Sequence, residues 1–444
     1  MYHFLFLLFI LSIILYFFKS QYPFKIQSTL LIILSLIFLG IFIFSIKKFK
    51  TLKNTLDIAI DGTKKSYLLV LIFALLGALS ASWFISGTIP ALIYYGIKII
   101  NPNYFYVFSF FITSLFSFLI GSSFGTVGTI GLVMVSLARG IGLDIYIVAG
   151  SIISGAYFGD RGSPMSSSAN FVSILTETEI YSNVKGMFKA SILPYLITLS
   201  LYFYLGRNIE PKFIENNILT LLNQNFYLDF LVFIPMIYLV IMCLLKKNIR
   251  HTILVSIFLS LIIGWFLQNY EDRNFIKVLI YGFKLPIENE LYNVIRGGGI
   301  FSMGTAMVMA LLSCGLVNIV DKLGVLKLIS EKIGFIKSEW KIYLYTIVVA
   351  ILTAAISCSQ STSILLTSQI MKKIYKKNGF TKELLALDIE NSSVVLSSLI
   401  PWNIAITVPP LMLDISAVKI ITYSLYLFIL PMIVMILKIK KLSH

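Results

Sequence analysis

The chain has 444 residues, 58% hydrophobic and only 13% charged, and its mean hydropathy of +0.91 lies well outside the range of soluble domains. Lysine and arginine outnumber aspartate and glutamate by 36 to 20, but the basic residues sit in short loops between apolar blocks, which fits the positive-inside rule and not nucleic-acid binding. At roughly 20 apolar residues per span, the expected fold is an all-α polytopic membrane protein of about 10–12 transmembrane helices with no soluble domain attached.

Leu5 to Phe18 reads as a retained first helix, because no small-residue cleavage site follows and a second span, Ser28 to Ile46, begins at once. The basic run K-K-F-K-T-L-K and then Lys64 and Lys65 belong in the cytoplasm, which puts the N-terminus there too. Residues 1–66 thus form an N-terminal unit of two helices and a basic loop, in a multi-pass protein of the cell inner (plasma) membrane.

Tyr67 to Ile100 is too long for one straight span and carries S-A-S-W-F-I-S-G-T-I-P in its middle, which reads equally as a proline-kinked helix or as one broken near a site. Asn103 to Arg139 contains G-S-S-F-G-T-V-G-T-I-G from Gly121, where so many glycines favour a second break over simple close packing. Tyr146 to Phe158 leads into G-A-Y-F-G-D-R-G-S-P-M-S-S-S-A-N, Gly155 to Asn170, which reads as non-helical backbone. Such backbone is tolerated at membrane depth only where protein or a water-filled cavity satisfies it, and transporters place ion sites there.

Val184 to Leu205, Phe226 to Leu245 and Thr252 to Leu267 follow as spans, the last two separated by the basic K-K-N-I-R-H. Residues 67–268 make a first repeat with connecting helices, 269–296 a polar connection, and 297–444 a second repeat. The repeat rests on an offset of 236 residues that lays Ala310 on Ala74 and Ser357 on Gly121; one residue more lays Pro401 on Pro164. Parallel and inverted arrangements both stay open.

An ionisable group at membrane depth costs roughly 3 kcal/mol on insertion scales and is seldom kept without a partner or a role. Asp160 therefore stands out, with Arg161 beside it either neutralising it or diverging from it. In the second half Glu390 lies beside Asn391 in an uncharged run, whereas Asp388 reads equally as a solvated charge at the cytoplasmic mouth. Asp321 and Lys322 look like a helix-end pair, and Trp83 and Trp402 like packing or interfacial aromatics. The expected ion or substrate site comprises Asp160, Ser163, Ser166, Ser168, Asn170, Thr126, Gln360, Thr362, Glu390, Asn391 and Asn403, with Asp160 and Glu390 as the candidate Na⁺ ligands. Their oxygens suit a hard cation, and equally a carboxylate-bearing solute.

Cys243, Cys314 and Cys358 are isolated, and His3, His251 and His444 lie at termini or a loop edge, so neither a disulfide framework nor a zinc site is expected. An enzyme is not expected either, for want of an H-E-x-x-H cluster, a nucleophile elbow and a soluble catalytic domain.

G-S-S-F-G-T-V-G-T-I-G, I-I-S-G-A-Y-F-G-D-R-G-S-P-M-S with the Asn170 segment, and I-E-N-S-S-V-V-L-S-S-L-I-P-W-N together resemble the NhaC family of sodium/proton antiporters, within the ion transporter superfamily, over about Tyr67 to Leu413. The resemblance implies secondary active transport by alternating access around a central site, without ATP or a cofactor, with Na⁺ and H⁺ as coupling ions and relatives that exchange organic acids. Two departures reduce the acids: M-S-S-S-A-N stands where the family pattern reads S-D-T-T-N after S-P, and Asn391 stands where L-E-D-S-G-T has its second acid. The expected function is Na⁺/H⁺ antiport; the alternative is Na⁺- or H⁺-coupled transport of a small organic acid or amino acid, with Arg161 receiving its carboxylate. A homodimer stays open.

Overall fold

Glycine and proline punctuation decides where this apolar chain turns. The computed structural model describes residues 52–440, apart from 208–214, 271–273, 285–295, most of 305–337 and scattered shorter positions. The expected spans Leu5 to Phe18 and Ser28 to Ile46, the Asp321–Lys322 pair, Cys314, Cys358 and Trp402 lie outside the described residues. Among the described residues the regular structure is helical but for a two-residue antiparallel pairing of Phe283–Lys284 with Arg296–Gly297. Among the described residues five helices are long and apolar enough to cross a membrane, or up to eight if each bent pair is one span.

After α1 (Leu52–Lys64), helices α2 (Tyr67–Ile85) and α3 (Thr88–Ile99) are separated by Gly87 in the left-handed region, and the pair bends by 67°. Both alternatives read from this block placed a proline kink or a site here; the structure shows a break whose free carbonyls are already taken. Gln268 Nε2 donates to Ser86 O at 3.1 Å, and Tyr270 OH donates to Ile85 O at 3.1 Å.

Helix α4 (Phe105–Ile120) ends on Gly121 at φ 72°, the left-handed cap that glycine supplies without strain, and Ser122 then caps α5 (Ser123–Ile141) by accepting from Gly125 N at 3.1 Å. A π-turn over Val127–Gly131 loosens α5. Asp144 caps α6 (Ile145–Gly162), Ser166 caps α7 (Ser167–Thr176), and α8 (Ile180–Leu205) returns across the whole thickness. Helices α9 (Glu215–Asn225), α10 (Ile234–Leu244), α11 (Ile249–Leu267) and α12 (Phe275–Tyr281) lead to the second repeat.

That repeat holds α13 (Glu339–Ser357), α14 (Gln360–Lys377), α15 (Lys382–Glu390), the short α16 (Ser393–Leu396) with a 3₁₀ turn to Leu399, α17 (Ile404–Met412), α18 (Ala417–Tyr423) and α19 (Leu425–Lys440). Each lies 236 or 237 residues after its counterpart to within a few residues, and the in-helix prolines Pro194 of α8 and Pro431 of α19 coincide at 237.

Side-chain contacts fix the directions. On α6, Gly155 meets Phe110 and Ser114 of α4 while Gly159 meets Ser117 and Phe118, so α4 and α6 run parallel and very close. Arg161 reaches Ser191 and Ser154 reaches Tyr202, so α8 runs antiparallel to α6. The broken span α6–α7 therefore starts on the face that holds Asp144 and ends on the opposite face at Glu177, which pairs with Lys372 and Lys382. The second broken span starts at Lys382 on that lysine-rich face and ends at Leu413, whose carbonyl accepts from Arg139, in the last turn of α5, at 2.8 Å. The two spans pass in opposite directions, and the repeats are inverted.

Candidate functional site

The motif expected to be non-helical throughout is helical up to Gly162; the break is confined to residues 163–166. Its glycines serve close packing of α6 on α4, because a Cβ at Gly155 would stand 2.6 Å from Phe110 O. Ser163 caps the end of α6, Pro164 has no N–H with which to continue the ladder, and Ser166 Oγ accepts from Ser168 N at 3.1 Å to open α7. Asn170 Nδ2 ties the bend by donating to Pro164 O at 2.9 Å and Ser166 O at 2.7 Å.

Asp160 lies in the last turn of α6, buried against this bend. Its Oδ1 accepts from Ser166 Oγ at 2.9 Å and its Oδ2 from Ser123 Oγ at 3.2 Å. Ser168 Oγ lies 2.8 Å from Ser166 Oγ and donates to Asp160 O at 3.3 Å, and the Gln360 amide lies beside the carboxylate with its Nε2 donating to Val394 O at 2.9 Å. Every one of these partners is neutral. Among the described residues no basic side chain forms an ion pair with Asp160.

Arg161 diverges from Asp160, although not for the reason read from the sequence: neighbours on a helix point about 100° apart. Its Nη1 donates to Ser191 Oγ at 2.5 Å and Tyr426 OH at 3.0 Å, and its Nη2 donates to Asn391 Oδ1 at 2.6 Å and Met187 O at 3.2 Å. A buried guanidinium thus joins α6 to α8, to α19 and to the end of α15. Met187 is seven residues into α8, which sets this level roughly 10 Å below the lysine-rich face at 1.5 Å per residue.

Glu390 is the last residue of α15 and fully buried; neither carboxylate oxygen has a hydrogen-bond partner, and Arg161 and Asp160 are the charges that act on it. A buried carboxylate without a donor is stable only when neutral or when a cation is present. The structure therefore gathers Asp160, Ser166, Ser168 and Gln360 into one cluster, with Glu390 facing the same charges. Ser163, Thr126, Asn170 and Asn403 bond backbone instead: Ser163 Oγ accepts from Met165 N at 3.1 Å, Thr126 Oγ1 donates to Ser122 O at 2.8 Å, and Asn403 Nδ2 donates to Ala354 O at 2.9 Å. Asn391 holds Arg161, and Thr362 is half-buried on α14.

Two features escaped the sequence. Ser123 is a direct carboxylate partner, its signal hidden in a glycine-rich run that also suited packing. Residues 121–125 moreover spell G-S-S-F-G, the letters of a nucleophile elbow, but Ser123 follows a helix and not a strand, and His251, the one histidine among the described residues, is exposed. Asp388 is neither solvated nor at the mouth: it is buried, with Lys438 Nζ at 2.5 and 2.7 Å and Tyr375 OH at 2.7 Å. Trp83 packs in the core and donates to Ser256 Oγ at 3.2 Å.

Outside the span, Glu177 ends α7 at φ 57°, and its carboxyl is held down to about 2 by hydrogen bonds from Lys372 and Lys382 and by their charges. Among the described residues no group of three or more His, Cys, Asp or Glu is placed to hold a metal.

A family profile described as the Na⁺/H⁺ antiporter family matches residues 3–168 and 155–439. The chain is 31% identical to the malate-2H⁺/Na⁺-lactate antiporter of Bacillus subtilis over 80% of its own length and 76% of the relative's. It is 27% identical to the Na⁺/H⁺ antiporter NhaC of Alkalihalophilus pseudofirmus over 85% of its length and 83% of the relative's. Over a shorter stretch, 35% of this chain and 33% of the relative, it is 32% identical to the arginine/ornithine antiporter ArcD of Halobacterium salinarum.

Proposed function

Since the chain belongs to the Na⁺/H⁺ antiporter family, as a multi-pass secondary antiporter, we propose that Asp160 and Glu390 are the carboxylates at which Na⁺ and H⁺ alternate. The observation that carries this reading is the setting of Asp160: a buried carboxylate at the bend of a broken span, held by serine hydroxyls and, among the described residues, with no basic partner. Ser166 gives its proton to the carboxylate and its lone pairs to the first N–H groups of α7, so it positions the carboxylate, whereas Ser123 gives its proton to the other oxygen without such a cap. Asp160, Ser123, Ser168 and the Gln360 carbonyl then offer the hard oxygen ligands that Na⁺ requires. A proton neutralises the same carboxylate equally well, so the two ions compete for one negative charge, and the ion gradient is the only energy source, with no cofactor.

Arg161, the cation expected to receive a substrate carboxylate, gives both Nη groups to four protein acceptors and keeps only its Nε–H unpaired, so the paired face that would grip a carboxylate is already taken, which supports inorganic ions over an organic solute as cargo. The lysines of the face around Glu177, Lys372, Lys373, Lys376, Lys377 and Lys382, favour its lying in the cytoplasm, with the protein in the plasma membrane and its N-terminus inside.

The test uses purified protein in liposomes loaded with a pH-sensitive dye. Addition of external Na⁺, with no organic solute present, is expected to drive protons out, and Asp160→Asn is expected to abolish this while remaining folded. Proton movement only when a hydroxy acid or amino acid is added would replace antiport of inorganic ions with solute transport.

A further inference from the structure

The second repeat rebuilds the frame of the Asp160 site and leaves out the acid. An offset of 237 residues lays Ser359 on Ser122, and each is the N-cap of the helix that follows the turn. The first residues of those helices are then Gln360 and Ser123. Asn403 falls on Ser166, and both cap in the same way: Asn403 Oδ1 accepts from Ala405 N at 3.0 Å, as Ser166 Oγ accepts from Ser168 N at 3.1 Å. The position of Asp160 is taken by Ser397, which is fully buried.

The side chains around Ser397 satisfy one another. Ser397 Oγ donates to Ser393 O at 2.6 Å, Ser393 Oγ lies 2.9 Å from Ser363 Oγ, and Thr353 Oγ1 lies 3.1 Å from Ser363 Oγ and 2.7 Å from Thr367 Oγ1. Asn403 Nδ2 is turned to Ala354 O, and Gln360 Nε2 donates to Val394 O at 2.9 Å. A cation taken from water into this frame would meet dipoles already paired and a serine where the first frame has its acid, so its desolvation would go uncompensated at that position. Nor is Glu390 the missing acid: its counterpart at the same offset is Ile153, a buried core residue.

We infer that the chain holds one Na⁺ at a time, on the frame built around Asp160, and that Ser397 is the residue that keeps the inverted copy of that frame from holding a second. The inference rests on Na⁺ being the cargo, and it concerns how many ions the two repeats carry, not whether exchange occurs.

Equilibrium binding of radioactive Na⁺ to the purified full-length protein tests it. The wild type is expected to saturate at one ion per chain with a Hill coefficient near one, Asp160→Asn at none, Ser397→Asp at two, and the double variant at one. Saturation of the wild type at two ions overturns the inference, and so does a folded Ser397→Asp that still binds one. If Ser397→Asp fails to fold, the wild-type stoichiometry decides alone. A wild type that binds no Na⁺ overturns the antiport reading itself, and this inference with it.

Discussion

Asp160 and Asp388 are both buried aspartates, one on each broken span, and their surroundings are opposite. Asp160 is held by neutral serine hydroxyls. Asp388 is closed by Lys438 on both oxygens and by Tyr375. Burial therefore does not distinguish the two carboxylates; the presence or absence of a basic partner among the described residues does. Asp388 ties the last helix, α19, to α15, and with a resident ammonium it has no charge left to offer Na⁺.

Substitutions at the two pockets should separate activity from stability. The largest effect is expected from Asp160→Asn: Na⁺-driven proton movement falls by about 100-fold or more, equivalent to roughly 3 kcal/mol, with the melting temperature maintained. Asp388→Asn should do the reverse. It leaves Lys438 buried and uncompensated, which lowers stability by about 3–5 kcal/mol, while Asp388→Leu with Lys438→Met recovers most of it. Exchange per folded molecule should survive in both, and a well-folded Asp388→Asn without exchange would remove the distinction between the pockets.

Ser123→Ala deletes one hydrogen bond to a charged group, worth about 1.5 kcal/mol, and should raise the apparent KM for Na⁺ about tenfold with little change in maximal rate. The smallest effect is expected at Glu177, an exposed charge. Its folded carboxyl titrates near 2, below the ordinary 4.5, so its pairing contributes above pH 4.5 and fades as the pH falls toward 2. A small difference in melting temperature between wild type and Glu177→Gln at pH 7 should therefore shrink on acidification; growth of that difference would contradict the pairing.

Much of this site is legible in the letters. Gly121 and Pro164 marked both turns of the first repeat, Asp160 and the serines after it lie together, and the 236–237 offset predicts the order of the second repeat. The helical state of Gly155–Gly162 was not legible, because glycines that weaken an isolated helix are also those that let it sit against α4. Nor was the pairing of Asp388, since Lys438 lies 50 residues away at the end of an apolar helix and looks like an ordinary membrane-edge lysine.

The sequence by itself determined the class of the protein and pointed to the helix breaks and to the acids beside them, because hydropathy and helix-breaking residues act locally. Only the tertiary structure decided that the two broken spans run in opposite directions, that both Nη groups of Arg161 are engaged while its Nε is not, and which buried aspartate has a basic partner. Those outcomes depend on which side chains from distant helices arrive at the same depth, and in a medium without water that choice of partner settles whether a charge is available.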